Sequence, residues 1–229
     1  MKWLIAITFC AATAFGGTAS IVASFRSPCN PGDVYGIDYY DGSLYHAGGA
    51  TSGYIYRTTT DGSTISSFKH RASGIDRTWS EFWTSFYSAR LIYRLSTTGT
   101  VIRTIEAPGL GPGVAYGEGF LWYSTGSEIY KLLVDGSIVE SFKTPKVGAT
   151  GVCWDDPNLW LAVYPAGTIY KITQTGSIIG STQTKGNPYG VSWDGSYLWY
   201  TAIGWVYKAK VNFTSIAPAS LGRVKALYR

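Results

Sequence analysis

The sequence predicts an all-β fold, a five-bladed β-propeller with four antiparallel strands per blade, and three observations carry that reading. A Gly followed by Ile or Val recurs at Gly36-Ile37, Gly74-Ile75, Gly113-Val114, Gly151-Val152 and Gly190-Val191, in steps of 38 or 39 residues. Behind each come an aliphatic residue, a Tyr and a base: Ile55-Tyr56-Arg57, Ile92-Tyr93-Arg94, Ile129-Tyr130-Lys131, Ile169-Tyr170-Lys171 and Val206-Tyr207-Lys208. A turn with Gly follows in four units, at Asp61-Gly62, Thr98-Gly99, Asp135-Gly136 and Thr175-Gly176. Markers in fixed order at one period identify a repeat, and four short strands in about 40 residues make one propeller blade.

Each unit reads as strands a to d. In the fourth, residues 151–154 are strand a, and Asp155-Asp156-Pro157-Asn158 is the turn. Residues 159–163 are strand b. Pro165-Ala166-Gly167 leads into strand c at 168–173, and Gln174-Thr175-Gly176 into strand d at 177–182. Short apolar runs separated by Gly, Asp, Asn or Pro are the pattern of hairpins. Strand b carries large residues on both faces, as in Leu159-Trp160-Leu161, so both faces of a blade must pack against neighbours. The composition agrees, with 28 Gly, 18 Tyr and 9 Trp against 14% charged residues. A disordered chain shows the opposite balance.

The fifth unit has no strand d after Lys210. Residues 20–25 (Ser-Ile-Val-Ala-Ser-Phe) match residues 137–142 (Ser-Ile-Val-Glu-Ser-Phe), strand d of the third unit. The N-terminal strand is therefore expected to complete the last blade, which removes two exposed sheet edges. An incomplete six-bladed ring is the alternative, and no sixth unit is visible.

Residues 1–19 read as a signal peptide: Lys2, an apolar stretch to residue 15, then small residues, with a cut expected after Ala19 or Ser20. The apolar stretch is short for a membrane span, which takes about 20 residues. No later stretch is apolar enough to cross. The propeller is assigned to residues 20–212 and a basic tail to 213–229. The tail reads either as a docked strand or frayed end, or as a sorting or attachment element. Export would permit a Cys29–Cys153 disulfide, although nothing in the spacing brings the two together. Asn212-Phe213-Thr214 is a glycosylation sequon in a host that uses one.

The run Gly190-Val191-Ser192-Trp193-Asp194-Gly195, followed by Leu198-Trp199, resembles a broad group of bacterial propeller repeats. That group holds NHL-type repeats, streptogramin-lyase-like proteins and five-bladed glutaminyl cyclases. The resemblance implies fold and not activity, because the matching residues belong to packing and turns. A streptogramin-lyase activity would need a placed His and acid, and none carries over. Trp154-Asp155 and Trp193-Asp194 are not a WD40 signature, since no Gly-His precedes them.

The search for chemistry gives few candidates. His46 and His70 occupy unrelated repeat positions, so a zinc site is not indicated. No Gly-x-Ser-x-Gly elbow and no phosphate loop is present. The third residues of the five strands a are Asp38, Asp76, Ala115, Cys153 and Ser192, which should form one level around the channel. Two readings of Asp38 and Asp76 stand: oxygen ligands for a calcium ion or an acid pair, and acceptors for backbone N–H groups. Trp122, Trp160 and Trp199 share one repeat position and are expected in the core, with Trp83 close to that register. Aromatic residues outside the pattern, Trp79, Phe82, Phe86, Tyr87, Tyr164 and Trp205, are candidates for ligand contact.

The net charge is +5. Arg57, Arg94, Lys131, Lys171 and Lys208 recur once per blade, which spreads charge around the ring and argues against nucleic-acid binding. The leading reading is a secreted or envelope-associated, non-enzymatic module that binds protein or glycan at the cell surface. The alternatives are a self-associating structural subunit and a cyclase-like or lyase-like enzyme.

Overall fold

The computed structural model describes residues 16–29, 34–49, 51–211 and 213. The leader up to residue 15 and the tail from residue 214 lie outside the described residues. β1 (Gly16–Thr18) and β2 (Ser20–Arg26) precede the first repeat. Blade 1 holds β3 (Val34–Tyr40), β4 (Ser43–Gly48), β5 (Tyr54–Thr59) and β6 (Thr64–Lys69). Blade 2 holds β7 (Gly74–Arg77), β8 (Glu81–Phe86), β9 (Leu91–Ser96) and β10 (Val101–Glu106). Blade 3 holds β11 (Gly113–Gly117), β12 (Phe120–Ser124), β13 (Glu128–Leu133) and β14 (Ile138–Lys143). Blade 4 holds β15 (Ala149–Asp155), β16 (Asn158–Val163), β17 (Thr168–Thr173) and β18 (Ile178–Gln183). Blade 5 holds β19 (Val191–Trp193), β20 (Leu198–Ala202) and β21 (Trp205–Lys210).

The chain is a five-bladed β-propeller. Its five antiparallel sheets follow in sequence order, so the six-bladed alternative is excluded for the described residues. In the fourth unit strand c has the expected bounds, and strand d begins one residue late. The lone helical element among the described residues is a 3₁₀ turn, Tyr164–Ala166, closed by Gly167 at φ 57°. The c–d turns end on Gly62, Gly99, Gly136 and Gly176, all with φ between 85° and 98°. Gly adopts that backbone without a Cβ clash, which explains the third sequence marker.

Closure happens as the sequence implied. β2 pairs antiparallel with β21 as the outer strand of blade 5, from Ser20↔Lys210 to Arg26↔Trp205. β1 has a different role. It lies parallel on the outer edge of β18 in blade 4, although residues 16–18 fall within the expected leader.

The core consists of five seams between successive blades. The middle strand of each blade presents Tyr45, Trp83, Trp122, Trp160 or Trp199, opposite the residue two past the repeated glycine of its inner strand. Trp83 is thus in full register with the other tryptophans. Tyr39, Tyr116, Trp154 and Trp193, each from the following blade, stack on Trp199, Trp83, Trp122 and Trp160 at 5.3–6.4 Å between centroids. The repeated base also approaches these rings: Arg57, Arg94, Lys131, Lys171 and Lys208 are 5.0–5.9 Å from the same five centroids. The charges recognised in the sequence are therefore committed to cation–π contacts within the blades. Asp155 and Asp194 accept the indole N–H of Trp160 and Trp199 at 2.8 Å. Blades 2 and 3 have Thr78 and Gly117 at that position, and the indole N–H groups of Trp83 and Trp122 are without a protein partner.

Candidate functional site

The inner strands β3, β7, β11, β15 and β19 surround the axis. At the end where they begin, the repeated glycines form a throat. A Cβ on Gly36 would approach Ser73 O to 2.8 Å, one on Gly151 would reach Tyr189 O at 2.6 Å, and one on Gly190 would reach Ile37 N at 2.8 Å. The first sequence marker is therefore a steric requirement of inter-blade contact. The void left at this level is ≈10 Å³, room for about one water.

Two residues past the throat, about 6–7 Å along the strand, lies the level containing Asp38 and Asp76. The structure brings Asp38, Asp76, Cys153 and Ser192 into one electrostatic neighbourhood. Asp38 is 6% exposed. Its carboxylate accepts the Ser192 Oγ–H at 2.9 Å and the Arg77 N–H at 2.8 Å. Ser192 Oγ accepts the Tyr39 N–H at 2.9 Å, and Asp76 accepts the Tyr116 N–H at 3.1 Å. Each acceptor thus binds the N–H of the residue three past the repeated glycine of the next blade, which stitches three of the five seams. Burial pushes Asp38 up to about 7 against these hydrogen bonds. Burial, then the neighbouring Asp38 charge, pushes Asp76 up as well. Cys153 is raised by burial, then by Asp38, Asp155 and Asp76. Among the described residues no group of three or more His, Cys, Asp or Glu is gathered for a metal. Two carboxylates with three of their oxygens already accepting make a thin set for calcium, which takes about 6–8 oxygens.

On the other side of the throat the channel opens into a cavity of ≈320 Å³. The residue before each repeated glycine lines it: Tyr35, Ser73, Pro112, Thr150 and Tyr189. Phe86 at the end of β8, with Tyr87 and Ser88 in the b–c turn of blade 2, completes the wall. Tyr189 is central. Its ring lies 5.1 Å from Tyr35 and 4.4 Å from Tyr164. Burial, then Tyr164 and Tyr35, raises its phenol and keeps it protonated. A second cleft of ≈350 Å³ shares Tyr87, Pro112 and Thr150 and runs outward past Tyr164, Pro165 and Val147. Among the described residues no charged side chain lines either space. Sequence reasoning named Phe86, Tyr87 and Tyr164 as aromatics outside the repeat but missed Tyr35 and Tyr189. The available signal was their place just before the throat glycine.

The remaining candidates are scattered. Trp79 is 81% exposed in the turn between β7 and β8, at the opposite end of the blade from the mouth. Trp205 opens β21, stacks on Tyr207 at 6.4 Å and lies under Arg26 at 4.7 Å. These two tryptophans share no site with each other or with Asp38 and Asp76. His46 is fully buried between Ser27 Oγ and Thr58 Oγ1, and burial pushes it down to about 3. His70 faces Thr84 Oγ1 at 3.0 Å. No disulfide joins Cys29 to Cys153.

No family model matches the chain, and no curated protein matches its sequence. Among solved structures it is similar to glutaminyl cyclase from Myxococcus xanthus, with TM-score 0.75 and 13% identity over 86% of this chain and 98% of that one. It is similar to a luciferin-regenerating enzyme, with TM-score 0.58 and 14% identity over 86% and 96% of the two chains. It is also similar to virginiamycin B lyase from Staphylococcus aureus, with TM-score 0.51 and 20% identity over 81% and 68%. What the chain shares with these proteins is the β-propeller fold.

Proposed function

We propose that this chain is an exported, non-enzymatic propeller that binds a neutral glycan in the tyrosine-lined mouth of its channel. The observation that carries the reading is the chemistry of that mouth. Tyr35, Tyr87, Tyr189 and Phe86 supply aromatic rings, Ser73, Ser88 and Thr150 supply hydroxyls, and among the described residues no charged side chain lines the cavity of ≈320 Å³. Sugar rings offer apolar C–H faces that stack on aromatic rings, and hydroxyls that match hydroxyl linings. The adjoining cleft of ≈350 Å³ gives room for a sugar chain rather than one ring.

The enzymes among the structural neighbours suggest a competing reading. Proton transfer needs a side chain within reach of the reacting atoms. The channel carboxylates lie past a throat with room for about one water, and among the described residues no carboxylate, imidazole or amine lines the mouth. A second reading, self-association, draws on the outer strands, where Val101, Ile102, Ile138 and Val139 are 48–58% exposed.

A glycan array followed by calorimetry on the exported protein tests the proposal. Binding to a neutral oligosaccharide is expected, with Tyr189→Ala weakening it about tenfold or more, or ~1.4 kcal/mol. Absence of glycan binding, or affinity unchanged by Tyr189→Ala, contradicts it. Light scattering on the same sample separates a monomer from an assembling subunit.

A further inference from the structure

The strand β1 is the observation that the binding reading leaves unused. It pairs parallel with β18 in the register Gly16↔Ser181, Gly17↔Thr182 and Thr18↔Gln183, and the Ala19 N–H extends the ladder to Gln183 O at 3.1 Å. The acceptor edge differs from every other outer strand. Ser181, which pairs with Gly16, is buried, and Gly180 is covered by Phe213, whereas the matching pairs Ala23-Ser24, Ser66-Ser67, Arg103-Thr104 and Glu140-Ser141 are exposed. Ala19 also packs against the core between blades 4 and 5. Residues 16–19 therefore behave as part of the folded domain.

Several bonds before β2 have small residues three and one positions ahead of them, as a signal peptidase requires. Gly17-Thr18-Ala19 and Thr18-Ala19-Ser20 direct a cut past β1, Ala14-Phe15-Gly16 a cut within it, and the Ala-x-Ala pattern Ala12-Thr13-Ala14 a cut ahead of it. Cutting after Ala19 or Ser20 removes β1 and uncovers the edge of β18. Cutting after Ala14 leaves β1 whole and attached to β2. We propose that the Ala14–Phe15 bond is the processing site, so that the mature chain begins at Phe15 and β1 belongs to it. The inference rests on residues 1–14 acting as an export leader, and it is independent of what the channel mouth binds. The step is hydrolysis by a membrane-bound signal peptidase. The amide C–N bond breaks, water gives its hydroxyl to the Ala14 carbonyl carbon and a proton to the Phe15 nitrogen, and the leader departs with a new carboxylate.

The test is intact mass and N-terminal sequencing of the full-length protein after export. A start at Phe15 is expected, and a start at Ser20, Ile21 or Met1 overturns the proposal. Ala14→Leu places a bulky residue next to the bond. It should abolish the Phe15 terminus, and an unchanged N-terminus would show that Ala14 does not direct the cut.

Discussion

In four of the five seams, a large apolar residue near the end of the outer strand covers the turn glycine of the next blade. Phe25 lies on Gly62, Phe68 on Gly99, Ile105 on Gly136 and Phe142 on Gly176, closely enough that any Cβ on the glycine would overlap it. Between blades 4 and 5 the matching residue is Thr182, whose buried Oγ1 has no protein partner. Blade 5 offers no c–d turn there, because its outer strand comes from the N-terminus. The chain ends replace the missing lock. Ala19, next to β1, packs from one side, and Phe213 stacks on Trp160 at 5.2 Å over Gly180. The inner half of this seam still follows the rule, with Trp193 on Trp160 and Gly151 against blade 5. A repeat can thus specify every inner contact of a ring, while the seam beside the closing blade needs its outer half built from outside the repeat.

The largest expected effect tests the claim that the inner halves are equivalent. Gly113→Ala in a regular seam and Gly151→Ala in the odd one both push a Cβ into the backbone of the next blade. Each should cost about 3 kcal/mol or more in urea denaturation. A large cost at one site and none at the other would break the comparison. The outer halves are tested by Phe142→Ala and Phe213→Ala, each expected to cost about 2 kcal/mol for a partly buried ring. If Phe213→Ala is neutral, the C-terminal plug contributes nothing.

A smaller effect concerns the N–H stitching, in which Asp38 serves the seams on both sides of blade 1. Burial raises its carboxyl from 3.8 to about 7 on folding. A raised acid supports folding fully below its unfolded value and loses that support as pH rises to the folded value. Asp38→Asn, which stays neutral and keeps an acceptor oxygen, should therefore stabilise the protein above pH 7. A gain on the order of 1–2 kcal/mol is expected at about pH 8, vanishing at about pH 3.5. Stabilisation of equal size at both pH values would show that charge is not the cause. The smallest expected effect is at the odd seam. Thr182→Val removes a buried hydroxyl without a protein partner, so stability should change by no more than about 0.5 kcal/mol, or rise.

Much of this architecture was legible because a propeller repeats its constraints. The Gly-Ile/Val marker is a throat contact, the Tyr-base marker places a cation on the blade's aromatic ring, and the likeness of residues 20–25 to a strand d gave the closure. The candidate site was less legible. Position within a strand gives a level along the channel, so Asp38, Asp76 and Ser192 were correctly grouped. It does not tell on which side of the throat space opens. That depends on how close the glycines bring five backbones together, and on the end of β8 and the b–c turn of blade 2, which break the repeat with Phe86 and Tyr87. The lock between blades 4 and 5 was invisible for a related reason: Phe213 and residues 16–19 have no counterpart in the repeat to be compared with.

The central claim is that the N-terminal strand completes the last blade, and a cross-link tests it most directly. Ala23 and Lys208 face each other across β2 and β21, and directly opposed residues in an antiparallel pair lie about 4.5–5.5 Å apart at Cα, within disulfide range. In the Ala23→Cys, Lys208→Cys double variant, a 23–208 bridge should form in the folded monomer under mild oxidation and raise the melting temperature. Failure of that bridge to form, or its appearance only between molecules, would contradict the closed ring.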